Sequence, residues 1–234
     1  MMELPKKPAV RSYRTEFRGN ETPISEGGIW LNGKRDGIDW ADVLMRDGRV
    51  YGEVTRMMAK ERRVEQQVLG AGAAAGAAEG DYDDPTAVLT GSWGRDQYGR
   101  ARVFSKNQTD KYFQEVEIRL RSSIKPHWCD GYEVFWRCLK TDGGYAEIVR
   151  WNGKIGDFTS LKKLVGKDYG VEDGDLIEAS IAGNVIKGYV NGKEMISAVD
   201  DKIQSGSPGV GFNFFVGNTN VDHGLTFFET HTYD

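Results

Sequence analysis

The chain has 234 residues, with 31 basic against 35 acidic side chains and a formal charge of −4. Apolar residues make up 39% and aromatics 11%, and the mean hydropathy is −0.54. That length closes one large domain around a substantial core, and the aromatic and aliphatic content excludes a long disordered chain. No apolar run approaches the roughly 18 residues of a spanning helix, so membrane insertion is not expected. The weak acidity gives no electrostatic reason to expect nucleic acid as a partner.

The chain opens Met1-Met2-Glu3-Leu4-Pro5-Lys6-Lys7-Pro8, with no apolar stretch behind its charges, so no secretory signal is read there. The protein is therefore expected to work without Sec export, in a cytoplasmic assembly, or at the cell exterior if a leader was removed. Residues 1–12 read as an extended N-terminal arm and 13–234 as one domain. Within that domain, residues 55–69 are built from helix formers, with Met57, Val64 and Val68 on one face. They run into a Gly/Ala tract over 70–80 that carries no packing information. Residues 56–80 are therefore expected as an inserted loop, either a surface excursion or, with the arm, a contact to protein neighbours in an assembly.

Strand patterning resumes at Thr86-Ala87-Val88-Leu89 and dominates from there. Val116, Ile118 and Leu120 alternate with Glu115, Glu117, Arg119 and Arg121, the period of a half-buried strand. Residues 131–138 and 145–151 follow as an antiparallel pair across Asp142-Gly143-Gly144, and 175–180 with 185–190 as another around Gly183-Asn184. Asn-Gly recurs at 32, 152 and 191, and Asp-Gly at 36, 47, 130, 142 and 173. Turn signals so closely spaced between short apolar runs predict an all-β sandwich or barrel, and too few helical windows separate the strands for βαβ units. Trp136, in step with Val134, reads as core, while Trp30, Trp40 and Trp93 are expected to cap core edges. Cys129 and Cys138 are expected to be reduced, since small disulfide scaffolds use more cysteines.

Several of these blocks resemble the concanavalin A-like jelly rolls of the lectin/glucanase and laminin G-like type, including bacterial and phage members. The blocks are Phe17-Arg18 with Ser25-Glu26-Gly27-Gly28-Ile29-Trp30, the 115–121 and 131–134 strands, and Ile148 to Gly153. Tyr189-Val190-Asn191-Gly192 and Ser207-Pro208-Gly209-Val210-Gly211-Phe212 extend the match. The resemblance implies a jelly-roll β-sandwich of two antiparallel sheets; the architecture hosts lectins, glucanases, polysaccharide lyases and virion proteins alike. Laminarinase-like glucanases carry Glu-x-Asp-x-x-Glu on one strand, a spacing that does not occur here. Arg14-Thr15-Glu16-Phe17-Arg18 imitates one strand of jelly-roll alginate lyases, but their Gln-x-His and Tyr-rich strands have no counterpart.

A site is still expected on the face opposite Val116, Ile118 and Leu120, which in a jelly roll is often a concave groove. Glu115, Glu117, Arg119, Arg121, Glu133, Phe135, Arg137, Tyr145, Glu147 and Trp151 would line it as ligand-binding residues, with Trp128 as a sugar platform. For an enzyme, the candidates are Glu117 and Glu133 as acid and base, Arg137, Tyr145, and His127, whose imidazole suits proton transfer. The competing reading of the alternating Glu and Arg is ordinary cross-strand ion pairing. No cofactor is expected; calcium is a weak candidate at Asp81, Asp83 and Asp84, which offer hard oxygen ligands. The leading functional reading is a non-catalytic lectin-like carbohydrate-binding or structural surface protein, such as a phage virion decoration or fibre-type protein, with a polysaccharide or glycan surface as partner. A polysaccharide lyase or glycoside hydrolase working on the concave face is one alternative, and an exported cell-surface adhesion module is the other.

Overall fold

The computed structural model describes residues 10–52, 84–110, 113–214 and 219–233. The strands run β1 (Arg11–Thr15), β2 (Trp30–Asn32), β3 (Val43–Arg46), β4 (Arg49–Gly52), β5 (Thr86–Leu89), β6 (Gln97–Ser105), β7 (Gln114–Lys125) and β8 (Trp128–Arg137). They continue as β9 (Tyr145–Gly153), β10 (Phe158–Val165), β11 (Leu176–Ala182), β12 (Val185–Val190), β13 (Lys193–Val199), β14 (Ser207–Phe214) and β15 (His223–Thr232). Two helical turns, Gly33–Gly37 and Thr219–Asp222, complete the described elements, and no helix among the described residues is long and apolar enough to cross a membrane.

The strands form two sheets, antiparallel throughout. An eight-stranded sheet has the order β13-β12-β11-β6-β15-β4-β3 with β1 also on β15, and a seven-stranded sheet runs β10-β9-β8-β7-β14-β5-β2. Neighbouring strands are far apart in sequence at β7–β14, β6–β15 and β6–β11. This is the crossed connectivity of a jelly-roll sandwich. Local turns set the register where the sequence indicated them. Asp47-Gly48 and Asn191-Gly192 hold both residues at positive φ, the backbone that a two-residue hairpin demands and that Asp, Asn and Gly tolerate.

The core lies between the sheets. Val116, Ile118 and Leu120 of β7 are buried there with Val134 and Trp136 of β8, Ile148 of β9, Val210 and Phe212 of β14, and Ile177, Ala179 and Ile181 from the facing sheet. Trp30 joins this core and Trp93 packs at its border, whereas Trp40 belongs to a second apolar cluster on the far side of the seven-stranded sheet. Both cysteines are free and buried. Of the expected arm, Arg11 and Ser12 pair with Thr232 and His231 in β1–β15. Residues 1–9, the expected helical segment at 55–69 and the 56–80 insertion lie outside the described residues.

Candidate functional site

On the outer face of the seven-stranded sheet, away from the main core, cross-strand register assembles most of the expected residues. Arg119 pairs with Glu133, Glu117 with Phe135, and Glu115 with Arg137 across β7–β8. Glu133 and Phe135 then face Val149 and Glu147 across β8–β9. On the other flank, β14 places Gly209 opposite Arg119 and Gly211 opposite Glu117. A Cβ on Gly211 would collide with Glu117 Oε2 and stand 3.0 Å from Arg119 Nε. The bare position at Gly211 thus leaves room into which the Glu117 and Arg119 side chains of β7 lie sideways, while that at Gly209 admits the backbone of Ala87 and Val88 in β5.

The result is a buried acid–arginine cluster. Arg119 NH2 lies 2.8 Å from Glu133 Oε2, 3.1 Å from Asp84 Oδ2 and 3.4 Å from Glu117 Oε2. Arg119 is 0% exposed, Glu117 1% and Glu133 4%. Trp151 donates its Nε1–H to Glu133 Oε2 at 2.7 Å, and the guanidinium sits 5.6 Å over the Trp151 ring. Tyr145 donates its hydroxyl to Glu115. Glu147 accepts from Ser160 at 2.6 Å and pairs with Lys163 at 2.7 Å. Trp40, Val88, Ile124, Cys129, Phe135, Tyr145, Val149 and Trp151 form the apolar cluster around these groups, with Trp40 and Trp151 edge-to-face at 6.0 Å.

Burial controls the protonation here. It pushes the Glu115 carboxyl up to about 8, against the Tyr145 hydrogen bond. Glu117 is driven well above the usual carboxylate range by burial and then by the Asp84 and Glu133 charges. Glu133 is also raised by burial, with Arg119 and Trp151 pulling the other way. Burial pushes the Cys129 thiol up to about 12, so it is a thiol at neutral pH. A guanidinium among three carboxylates, with protons held on some of them, keeps the net buried charge small.

Three expected residues, Arg121, Trp128 and His127, stand apart from the cluster. Arg121 breaks the alternation: it sits at φ 47°, at a bulge between Leu120 and Ser123. Its guanidinium turns away to donate to the carbonyls of Arg95, Ile203 and Gly183. The cause is local, since Gly131 and Gly206 let Ser122 and Arg121 press in where any Cβ would meet their backbone. Trp128 shares its side of β8 with Asp130, which takes its Nε1–H at 3.0 Å, and not with Cys129, whose thiol faces Arg119 at 3.9 Å. His127, at positive φ in the β7–β8 turn, is exposed and meets Asp39 at 3.0 Å. Arg137 donates to the Gly143 carbonyl and lies over Phe113.

Asp84, missed as a partner of the cluster because it enters from the far side of β14, is the described member of the Asp81, Asp83, Asp84 group. Its carboxylate, with those of Glu117 and Glu133, brings three oxygens within 4.8 Å of one another, a spacing compatible with a divalent cation. Arg119 NH2 touches all three and supplies the positive charge such an ion would bring.

The two sheets and their crossed connections define a jelly-roll β-sandwich, the fold that concanavalin A-like lectins and glucanases also have. Among solved structures, the chain is similar to an endo-acting O-glycanase of the human gut microbiota (TM-score 0.54, 10% identity, covering 97% of this chain and 100% of that one). It is similar also to the carbohydrate-binding module CBM66 of Bacillus subtilis (0.52, 11%, 90% and 96%). A third is a β-1,3-1,4-glucanase (lichenase) from a mouse hindgut metagenome (0.51, 10%, 95% and 99%). At these identities the likeness is one of fold. No family model and no curated protein matches the chain.

Proposed function

We propose that this protein binds glycans without cleaving them, as a lectin-like module. The observation that carries the reading is the condition of Glu117 and Glu133, the two carboxyls best placed for hydrolysis. Both are buried and both are spent on one guanidinium. A glycosidase needs its two carboxyls on either side of a bound sugar, whereas here both converge on one nitrogen of Arg119, which fills the space between them. Binding is supported by Trp128, which is 38% exposed. Three alternate atoms of its six-membered ring are equidistant, at 2.5 Å, from where a Gly153 Cβ would stand, so the ring lies flat on that glycine. With Asp130 holding its Nε1–H, the ring is fixed as a stacking platform of the kind sugars use. The finer reading, a decoration or fibre-type role on a phage particle, is supported by the arm and Gly/Ala tract of the sequence. An exported adhesion module would use the same surface.

One feature favours the enzyme reading: burial pushes the Glu115 carboxyl up to about 8, in the range a general acid needs, and drives Glu117 in the same direction. A panel of neutral and acidic polysaccharides, with and without calcium, separates the two. Retention of at least one polysaccharide by the wild type, lost at least tenfold in Trp128→Ala with unchanged thermal unfolding and no product release, is expected. Release of reducing ends or unsaturated uronates that disappears in Glu117→Gln makes the protein an enzyme.

A further inference from the structure

The opposite side of the sandwich carries a second, differently built surface. On the outer face of the eight-stranded sheet, Arg14, Glu16, Arg100, Arg102, Leu176 and Phe227 line an open groove of about 510 Å³. Its shape follows from a bulge in β15. Leu225 and Phe228 are both buried in the core, and the register shifts between them, so Thr226 and Phe227 are both left to the outside. The Phe227 ring then carries Arg14 at 4.9 Å and Arg100 at 5.8 Å, which restrains both guanidiniums at the groove.

The charges are unevenly spent. Glu229, between Arg14 and Arg100 in register, takes Arg100 at 2.8 Å and His231 at 2.7 Å, and lies 3.7 Å from Arg14. Arg100 and Glu229 raise and lower one another's proton affinity as a closed pair. Glu16 gives its short contact, 2.7 Å, to Arg18 and stands 3.5 Å from Arg14. Arg102 is exposed and donates to the neutral Gly174 carbonyl at 2.9 Å, with no carboxylate within 4.0 Å among the described residues. Arg102 therefore presents its charge into the groove from β6 without a carboxylate partner, and Arg14, held only by the longer contacts to Glu16 and Glu229, adds to it from β1, on a chain whose overall charge is −4.

We propose that this groove binds the anionic substituents of an acidic glycan, with Arg14 and Arg102 as the residues that grip a carboxylate or sulfate. The fork of a guanidinium matches both oxyanions in bidentate geometry, and the two arginines approach the groove from the strands on either side of β15. The proposal rests on the glycan-binding reading for the sugar that carries the charge, but uses a different face from Trp128.

The test is titration calorimetry of the wild type, Arg14→Ala/Arg102→Ala and Trp128→Ala proteins with three probes: an oligogalacturonate, a sulfated dextran oligosaccharide and neutral dextran, beside the neutral polysaccharides of the panel above. At least one acidic probe should bind the wild type, weaken tenfold or more in the arginine variant and remain unchanged in Trp128→Ala, and which of the two binds tells carboxylate from sulfate. Neutral dextran should give no signal that depends on the arginines. Acidic probes that bind the arginine variant as tightly as the wild type, or that fail on the wild type while a neutral polysaccharide binds, overturn the groove and leave the glycan reading standing. Arginine-dependent acidic binding with every neutral polysaccharide silent keeps the groove and removes the Trp128 platform.

Discussion

Gly211 of β14 lies directly beneath the Glu117 carboxyl of β7: the two are register partners, and the carboxyl occupies the space where a side chain on residue 211 would begin. Gly211→Ala must therefore displace Glu117 and, through it, Arg119. Overpacking of this kind costs about 1–3 kcal/mol, to be read as a lowered denaturation midpoint. In a double-mutant cycle with Glu117→Ala the two losses should be strongly non-additive, because the second change removes the atom with which the first collides.

Arg119 is the cation of the cluster, and removing it leaves three buried carboxyls without one. Arg119→Met should destabilise by about 3–5 kcal/mol, the usual consequence of breaking a buried ion pair from one side. Arg119→Ala should in addition open the triad to metal. Three oxygens within 4.8 Å of one another lie at the separations found around a calcium ion with bonds of about 2.3–2.6 Å. Calcium should raise the unfolding temperature of Arg119→Ala, reversibly with chelator, and leave that of the wild type unchanged. A wild-type response as large as the variant's would show that the guanidinium and the ion do not compete.

What the sequence disclosed and what it concealed divide along one physical line. Alternation is local, so β7, β8 and β9, and the sorting of Val116, Ile118 and Leu120 from Glu115, Glu117 and Arg119, were legible from period-2 patterning. So were the Asp47-Gly48 and Asn191-Gly192 hairpins, where the backbone demands those residues. Burial of the charged face was not legible, because alternating Glu and Arg ordinarily marks water. Here the cover comes from distant segments: Trp40 from before β3, Asp84 from the start of β5, and Gly211 of β14, whose bare position admits the Glu117 carboxyl. Gly-x-Gly within a predicted strand was the available signal, since bare positions in a strand often mark the close approach of something else. Arg121 was read into the face because a bulge is invisible to alternation until its glycines, 131 and 206, are brought against it.

Trp151 shows what the burial changes. On an open face, Trp151→Ala would remove a sugar contact and leave stability alone. In this arrangement the indole is 2% exposed, packs against Trp40 and Phe158, and donates to Glu133. The substitution should cost about 3–5 kcal/mol, the range for emptying a buried aromatic site. Trp128→Ala, at a 38% exposed position, should move the midpoint far less. Equal midpoints for the two variants would return Trp151 to an accessible surface.

Glu115 gives the cluster a pH dependence whose sign is opposite to that of a surface salt bridge. Its carboxyl titrates at about 8 when folded and at the ordinary value of 4.5 when unfolded. Between those limits the native state holds a proton that the unfolded chain has released, so stability falls as pH rises, by up to about 1.4 kcal/mol per unit for such a group. The contribution is complete below about pH 4.5 and lost as pH passes 8. The groups around Glu115 include Tyr145, Glu133, Lys163, Glu147, Glu117 and its register partner Arg137; of these Glu133 and Glu117, also raised by burial, add to the same trend. Glu115→Gln keeps an acceptor for the Tyr145 hydroxyl and has no proton to lose. Denaturant unfolding measured from pH 5 to 9 should therefore show a shallower decline in the variant than in the wild type, with the two curves furthest apart at the alkaline end. Parallel curves would mean that Glu115 is ionised in the folded protein, and that Tyr145 and Lys163 compensate its charge.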